Sequence, residues 1–272
     1  MNLLALHEGY LHLMSEKKAD EEKPPVVEFV AGINLYTKNE LRWYFGIDSV
    51  EDSDGKLIAI IPVRGVLSPS WDYNGTNTNW IQTQLRVASE NPAVHAIVLN
   101  INSPGGAVAN TQATAQVIKQ VSSKMPVLGF TQSMAASSAY WLFSHCDECF
   151  LENKVYSGVG SIGVMATLFS QSGYNEKNGY DFRVIRSKGS EDKNLGNPME
   201  PIHDAAVQEA QDLADKLRVE FLSAVLSVRP KVDPAISGKM YYGNYAISAG
   251  LADTIGDLNA ALKRADYLAR KR

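Results

Sequence analysis

The chain contains short runs of consecutive apolar residues, separated by segments in which apolar residues recur at helical spacing. Runs at 56–63, 96–101 and 127–130 have the length and composition of strands that are covered on both faces. A helix is predicted over residues 107–124, between the second and third runs. The order strand, helix, strand, helix predicts right-handed crossover connections and a mainly parallel α/β sheet.

Glycine, proline and polar residues interrupt the first two runs. Gly65 is predicted to begin a loop after the first strand, and residues 102–106 are predicted to end the second strand. The polar stretch 71–78 is predicted to be an exposed loop, and a helix-like segment follows it from Trp80 to Ala88. Both strands are therefore expected to stop at their glycines.

The second half of the chain is predicted to hold shorter elements and two longer helices. In chain order these are short strands with glycine turns at 155–164, a helix at 165–180, a strand at Phe182–Ile185, a polar and mobile loop at 188–198, a long helix at 204–228 and a C-terminal helix at 258–268. One apolar stripe at three- and four-residue spacing predicts a buried or subunit-contacting face on the long helix. It consists of Val207, Ala210, Ala214, Leu217, Phe221 and Val225.

Residues 1–50 differ in pattern from the rest and are predicted to form an N-terminal arm, with the main domain spanning residues 51–272. Within the arm, Glu16–Pro25 is highly charged and ends in two prolines, as expected of a linker or exposed segment. The stretches on either side of it are consistent with short helices. The simplest role for such an arm is a contact between subunits.

The composition fits a soluble globular enzyme or binding protein. At 272 residues, with 45% apolar and 21% charged residues, the chain is long enough to bury one large core. A net charge of −4 without a basic block gives no electrostatic reason to expect nucleic acid as a partner. No apolar run is long enough to span a bilayer, and the N-terminus lacks the features of a secretory signal. We therefore expect a cytoplasmic protein.

The two cysteines, Cys146 and Cys149, follow His145 in a CxxC arrangement. Such a pair is compatible with redox activity or with half of a zinc site, but the chain has no second cysteine pair to complete four ligands. The pair lies where a helix is expected to lead into an apolar strand. We therefore predict buried, reduced thiols with a structural role, and no metal site.

The segment Gln132–Trp141 is the most informative one for chemistry. It follows the apolar run at 127–130, is rich in small residues and opens a predicted helix. A serine at the start of such a helix lies where unpaired N–H groups and the helix dipole favour negative charge. Ser137 is therefore a candidate nucleophile. The alternative is that Ser137 only caps the helix.

Consecutive predicted strands are each followed by a stretch of small residues. The first stretch ends in Gly106 and the second contains Ser138. In a parallel sheet, the carboxyl ends of neighbouring strands meet at one edge. The backbone N–H groups of Gly106 and Ser138 are therefore expected within reach of one oxygen, as an oxyanion hole for acyl transfer requires. A phosphate-binding loop is not favoured, because neither GxxxxGK[ST] nor GxGxxG occurs.

A serine nucleophile needs a base, and the residues alone leave that base open. None of the five histidines has a convincing acidic partner, and His203, at the start of the long helix, is the only candidate among them. A lysine whose pKa is lowered by burial can serve instead, and Lys188 and Lys193 lie in the polar loop. The alternative is that both lysines are ordinary solvated loop charges.

Six stretches of the chain together resemble the signal peptide peptidase A family of serine–lysine peptidases, in particular its phage and prophage members. They are Asn102–Gly106, Met134–Trp141, Gly160–Val164, Lys193–Pro198, Gly238–Gly243 and Ala249–Asp253. The resemblance covers roughly residues 57 to 262. It implies a Clp protease/crotonase-like fold, which is a spiral of ββα units with a mainly parallel sheet, here with a small N-terminal helical arm.

The resemblance implies roles for four residues around the nucleophile. Ser137 stands at the family's nucleophile position, and Gly106 and Ser138 match the residues whose N–H groups form the oxyanion hole. Ser161 matches a serine that holds the catalytic lysine.

The catalytic lysine itself is assigned by its spacing within the family's loop. The family has a lysine five residues before a proline, and Lys193 keeps that spacing to Pro198. Lys188 lies nearer to the predicted strand but loses the spacing. The resemblance therefore favours Lys193 over Lys188.

The implied activity is that of a serine endopeptidase with a Ser–Lys dyad, no cofactor and a ring-shaped homo-oligomeric assembly. The phage-like sequence favours capsid maturation, with scaffold or portal proteins as substrates and packaging in a phage prohead. Three alternatives stay open. They are a cytoplasmic protein-degrading enzyme similar to signal peptide peptidases, a crotonase-type acyl-CoA enzyme and an inactive structural relative.

Overall fold

The computed structural model describes residues 4–6, 38–52, 54–70 and 75–272. Its strands are β1 (Leu4–Leu6), β2 (Asp48–Glu51), β3 (Leu57–Ser68), β4 (Gly75–Asn77), β5 (Val94–Ala107), β6 (Val127–Thr131), β7 (Met134–Ala136), β8 (Glu148–Leu151), β9 (Gly158–Gly160), β10 (Met240–Tyr242) and β11 (Thr254–Ile255). Its helices are α1 (Lys38–Phe45), α2 (Thr78–Glu90), α3 (Thr111–Ser122), α4 (Ser138–Ser144), α5 (Ser172–Lys177), α6 (Asp204–Val228), α7 (Gly243–Ser248) and α8 (Leu258–Ala269).

The sheet is mainly parallel and curls because β5 changes partner along its length. Strands β3, β5, β6, β8 and β11 form one parallel series. The first half of β5 pairs with β6, whereas Ser103 in its second half pairs with Ala135 of β7. Strand β7 then pairs with β9 in parallel. The predicted mainly parallel α/β fold is confirmed, with antiparallel pairing confined to β1, β2 and β10 among the described strands.

Helices cover both faces of the parallel series, which is why its strands are almost continuously apolar. In β5, Ile97 and Leu99 face the larger core, together with side chains of α2, α3 and α4. Ala96 and Val98 point to the opposite face, where they meet Leu262 of α8. Side chains alternate between the two faces of a strand, so one continuous apolar run contributes residues to both cores.

Strands β3 and β5 continue past the glycines at which the sequence predicts that they end. Val66 pairs with Gly105, and Leu67 pairs with Gly106. A Cβ atom at Gly106 would lie 2.0 Å from the carbonyl oxygen of Leu67, so only glycine permits this close approach of the two backbones. The predicted loop at Gly65 and the predicted break at 102–106 are therefore wrong, because the glycines extend the ladder instead of ending it.

Between β9 and α6 the chain holds less regular structure than the sequence predicts. The helix predicted at 165–180 is reduced to α5, and the strands predicted at 155–164 are reduced to β9. The strand predicted at Phe182–Ile185 does not form, and the side chain of Ile185 is 91% exposed. Apolar residues alone do not make a strand where no neighbouring strand offers hydrogen bonds.

Most of the other predicted elements are confirmed with small changes. The exposed loop predicted at 71–78 is wrong in its described part, because Gly75–Asn77 forms β4 and Thr76, Asn77 and Thr78 are buried. The long helix and the C-terminal helix form as α6 and α8. Ala210, Ala214, Phe221 and Val225 are buried as the stripe predicts, whereas Val207 is exposed. The helix predicted at 107–124 begins four residues later, at Thr111, because β5 runs on to Ala107.

The N-terminal arm is described only in part. Strand β2 pairs antiparallel with β3, and Leu41 of α1 and Ile47 are fully buried in the main core. The charged segment Glu16–Pro25 lies outside the described residues. Of the flanking stretches predicted to be helical, the described part after it holds the helix α1, whereas the described part before it, Leu4–Leu6, is the strand β1. The division into residues 1–50 and 51–272 stays a prediction. Among the helices that the structure describes, none combines the length and the apolar character needed to cross a membrane.

Candidate active site

Ser137 occupies the sharp turn that connects β7 to α4. Its backbone has φ 54° and ψ −125°, a conformation that residues with a side chain rarely adopt. Its N–H donates a hydrogen bond of 2.8 Å to the carbonyl oxygen of Gly160, which ends the neighbouring strand β9. Backbone strain of this kind persists only where the surrounding structure holds it, and it concentrates at functional sites. A strained strand-to-helix turn also presents a serine hydroxyl at the edge of a sheet.

The hydroxyl oxygens of Ser137 and Ser138 are buried and have no hydrogen-bond partner among the described residues. Buried polar atoms without a partner are uncommon in folded proteins, and each calls for an explanation. Ser137 stands at the N-cap position of α4, but its side chain makes no capping hydrogen bond. The interpretation of Ser137 as a simple helix cap is therefore wrong.

The glycines of β5 lie beside this turn. Ser103 of β5 pairs with Ala135 of β7, so Gly105 is two residues beyond that pair on one strand and Ser137 is two residues beyond it on the other. Ser138 is the first residue of α4, so its N–H belongs to the first turn, which has no partner within the helix. The structure thus brings Gly106 and Ser138 to the same edge of the sheet as Ser137.

Ser161 follows β9 just as Ser137 follows β7. Ala136 and Gly160 pair at the ends of these parallel strands, so the two serines come next in register. Ser161 also has a positive φ, 52°, and its N–H donates to the carbonyl oxygen of Lys239 at 2.9 Å. The fold therefore places a second polar side chain next to the candidate nucleophile.

The structure does not bring the two candidate lysines to Ser137. Lys188 and Lys193 are both exposed, and neither donates a hydrogen bond to the hydroxyl oxygen of Ser137. The backbone around Lys193 is nevertheless held by Arg186, whose guanidinium donates to the carbonyl oxygens of Lys193 at 2.7 Å and Asn194 at 3.0 Å. Arg186 was not singled out from the sequence, because an arginine in a polar loop carries no local signal of its partners.

Arg186 is in turn fixed by an ion pair. Both oxygens of Glu200 accept hydrogen bonds from its guanidinium, at 3.0 and 2.6 Å. The hydrogen bond from Arg186 lowers the pKa of Glu200 and raises that of Arg186. A two-point contact of this kind fixes the plane of the guanidinium, and with it the loop that carries Lys193.

No histidine that the structure describes bonds to Ser137. His145 interacts through Nδ1 with the carbonyl oxygen of Trp141, and burial lowers its pKa. His95 faces Asp52 and Asp266, and His203 is the N-cap residue of α6. The described residues therefore form no Ser-His-Asp triad around Ser137. The remaining histidines, His7 and His12, lie outside the described residues.

The cysteine pair has a structural setting, as predicted. Cys146 and Cys149 are both free thiols and buried. Arg229 donates to the sulfur of Cys149 and to both carboxylate oxygens of Asp253, whose Oδ2 also accepts the backbone N–H of Cys149. Burial raises the pKa of Cys149 to about 12, so the thiol stays protonated and is a poor nucleophile at neutral pH.

One group of side chains has the spacing of metal ligands. Asp52, His95 and Asp266 offer ligand atoms within 4.8 Å of one another. The guanidinium of Arg270 already donates to Asp52 at 2.9 Å and to Asp266 at 2.8 Å. One guanidinium therefore already bridges both carboxylates, and the group lies at the start of β5, away from Ser137.

Comparison with known proteins connects this geometry to peptidases. The sequence profile of peptidase family S49 matches residues 119–271, which include Ser137, Ser161 and both candidate lysines. The profile of Clp protease matches residues 67–147, which include Gly106 and Ser138. The second match confirms the Clp protease-like fold expected from the sequence, and the first confirms the resemblance to signal peptide peptidases.

Individual relatives point in the same direction. A putative protease of Methanocaldococcus jannaschii is 30% identical over 65% of this chain and 57% of its own length. A putative signal peptide peptidase SppA of Enterococcus faecium is 27% identical over 86% of this chain and 69% of its own length. Capsid assembly protease C of Escherichia phage lambda is 32% identical over 73% of this chain and 46% of its own length. The match thus spans about half the length of the archaeal and phage relatives.

Proposed function

The chain belongs to peptidase family S49, and from this premise we propose that it is a serine endopeptidase with a Ser–Lys dyad. Ser137 is the nucleophile and Lys193 is the general base. The observation that carries the proposal is the buried hydroxyl of Ser137, which has no hydrogen-bond partner in the described part of the chain and lies on a strained turn beside β5. A hydroxyl in that state is free to bond to a base and a substrate that complete the site.

The reaction begins when neutral Lys193 takes the proton of the Ser137 hydroxyl as its oxygen attacks the scissile carbonyl. The N–H groups of Gly106 and Ser138 stabilise the resulting oxyanion, an effect of about 3–4 kcal/mol per donor in proteases. The lysine ammonium then protonates the leaving amine as the C–N bond breaks. Water hydrolyses the acyl-enzyme, with Lys193 again acting as the base. Ser161 orients the lysine amine between these steps.

Completion of the dyad requires Lys193 to leave solvent and reach the Ser137 hydroxyl, because a general base must lie within hydrogen-bond distance of the proton that it takes. The segment from β9 to α6 exposes large apolar side chains that a single chain leaves uncovered. They are Phe169, Tyr174, Tyr180, Phe182, Ile185 and Ile202. Exposed apolar surface of this kind is typical of interfaces. In the proposal, copies of the chain associate through this segment as a ring, and burial there removes the Lys193 amine from water and brings it to a Ser137 hydroxyl.

The substrates are proteins, and the proposed role is phage or prophage capsid maturation. The support is the similarity to a phage protein named as a capsid assembly protease. Scaffold or portal proteins are the expected targets, cut in the cytoplasm or inside a prohead. The similarity to a putative signal peptide peptidase supports a second role, the general degradation of peptides.

The proposal is tested by co-expression with candidate scaffold and portal proteins, followed by mass mapping of the cut sites. Wild type and a Ser227→Ala control, altered at an exposed helical serine, should cut at the same positions. Ser137→Ala should cut at none. Turnover of acyl-CoA thioesters without peptide cleavage would instead support a crotonase-type enzyme.

The assembly is tested by mixing two inactive variants, Ser137→Ala and Lys193→Ala. If a neighbouring copy supplies the lysine, mixed assemblies regain activity, because one variant keeps the serine and the other keeps the lysine. If each chain uses its own lysine, the mixture stays inactive.

A further inference from the structure

Both edges of β5 are occupied where the strand passes the candidate active site. On one edge, Gly105 and Gly106 pair with Val66 and Leu67 of β3. On the other edge, β1 pairs antiparallel with the same residues. Its register is Leu4 with Ala107, Ala5 with Gly106 and Leu6 with Gly105. Leu4–Leu6 is thus an extra strand on a sheet edge that no other described strand covers at this level.

The edge that β1 occupies is the one that faces Ser137. Strand β7 uses this same edge of β5 two residues earlier, through the pair of Ser103 with Ala135. Ser137 comes one residue after β7 ends. Strand β1 therefore begins to pair where β7 stops, and its backbone runs past the turn that carries the candidate nucleophile.

An extended peptide that binds to Ser137 would need the same backbone groups. Addition of a strand to an exposed sheet edge is a common way to bind a peptide, because the N–H and C=O groups of the edge give affinity for any sequence. Each of these groups on β5 can serve one added strand at a time. While Leu4–Leu6 lies on the edge, another peptide cannot pair with Gly105–Ala107.

We propose that Leu4–Leu6 is an intramolecular occupant of the substrate-binding edge of β5 and competes with substrates for it. The inhibitory effect rests on the proposed function, since it assumes that peptides are cut at Ser137. The docking of Leu4–Leu6 does not rest on the proposed function, because it depends only on the pairing between β1 and β5. Ala5 pairs with Gly106, a residue proposed for the oxyanion hole. The backbone of Ala5 therefore lies beside the position that the scissile carbonyl of a substrate would occupy.

The docking is tested by engineered disulfides in the full chain. Leu4→Cys with Ala107→Cys joins residues that are directly paired. Directly opposite residues in an antiparallel pair have Cα atoms about 4.5–5.5 Å apart, within the range of a disulfide. The control is Leu6→Cys with Ala107→Cys, which is two residues out of register and about 7 Å further along the strand. The native cysteines are buried and do not compete.

The first pair should form a disulfide on mild oxidation, and the control should form much less. Equal cross-linking of both pairs, or none in the first, would overturn the docking. This measurement does not depend on catalysis, so it separates failure of the docking from failure of the proposed peptidase activity.

The competition is tested by deletion of residues 2–6. If β1 covers the edge nine-tenths of the time, deletion should lower the KM for peptide substrates about tenfold and leave kcat unchanged. A synthetic peptide of residues 1–10 should inhibit the deletion variant competitively. An unchanged KM, or no inhibition by the peptide, would overturn the competition. The melting temperature of the deletion variant shows whether the remaining fold is intact.

Discussion

The backbone N–H of Ser137 donates a 2.8 Å hydrogen bond to the carbonyl oxygen of Gly160. This bond joins the candidate nucleophile to β9, the strand that precedes Ser161. One contact therefore fixes the positions of the two serines relative to each other along the direction of the strands. It also stabilises the positive φ of Ser137, which a free chain would avoid. The geometry of the site is therefore built into the pairing of β7 with β9 and not into the serine side chains alone.

The choice between the two loop lysines gives the first prediction. Lys193→Ala should lower kcat for peptide hydrolysis by at least a hundredfold, because a general base contributes about 10²–10⁴. Lys188→Ala is the matched control, since it removes an equal charge from the same exposed loop. Steady-state kinetics of both variants measures the effect. The opposite result, loss of activity with Lys188→Ala alone, would show that Lys188 is the base.

The ion pair of Arg186 with Glu200 gives the second prediction. Arg186→Lys keeps the charge but loses the two-point contact and the bonds to the Lys193 and Asn194 carbonyl oxygens. We expect kcat to fall about tenfold, with little change in KM, because a misplaced base affects the chemical step. Arg183→Lys is the control, because its ion pair with Asp181 is exposed and lies outside the loop contacts.

The pH dependence of these two arginine variants distinguishes positioning from a general loss of structure. If Arg186 acts by holding the loop, the pH at which activity reaches half its maximum should shift in Arg186→Lys and not in Arg183→Lys. Equal kinetics and equal pH profiles for wild type and Arg186→Lys would remove Arg186 from the mechanism.

The close contact at Gly106 gives the third prediction. Gly106→Ala places a Cβ atom 2.0 Å from the carbonyl oxygen of Leu67, so β3 and β5 must separate locally. We expect a loss of about 1–3 kcal/mol in the free energy of unfolding, the usual range for overpacked sites. Gly173→Ala is the control, because no atom of the described residues lies within 4 Å of a Cβ atom there. Chemical denaturation of both variants is the measurement, and equal stability would contradict the strand pairing.

The buried thiols give the fourth prediction. The pKa of Cys149 is raised by burial from 9.0 to about 12, so above pH 9 the unfolded chain binds fewer protons than the folded chain. The free energy of unfolding should therefore be unaffected by this thiol below pH 9 and fall between pH 9 and 12, by up to about 1.4 kcal/mol per pH unit. Cys149→Ala should show a shallower fall over the same range. A thiol reagent at pH 8 should label neither cysteine until the protein unfolds.

The local pattern was enough to predict the elements that one segment determines by itself. The run before Ser137, the small residues around it and the apolar stripe of α6 each carry their own signal, and the structure places them accordingly. The burial of Cys146 and Cys149 also followed from a short stretch, because the pair lies between a helix and an apolar strand.

Features that depend on distant residues were not predictable in this way. Gly105 and Gly106 resemble a break in sequence, and only the nearness of Leu67 shows that they extend a ladder. Phe182–Ile185 has the composition of a strand, but none of the described strands pairs with it. The contacts of Arg186 with Lys193 and Glu200 span a polar loop that has no periodic pattern of apolar residues, so the sequence does not predict them.

In the proposed mechanism, Ser137 carries the reactive hydroxyl. The most direct test is treatment of the protein with a fluorophosphonate, followed by peptide mass mapping of the modified residue. A single adduct on Ser137 is expected in wild type, together with none in Ser137→Ala and a much slower adduct in Lys193→Ala. An adduct on any other serine, or equal modification of wild type and Ser137→Ala, would contradict the account.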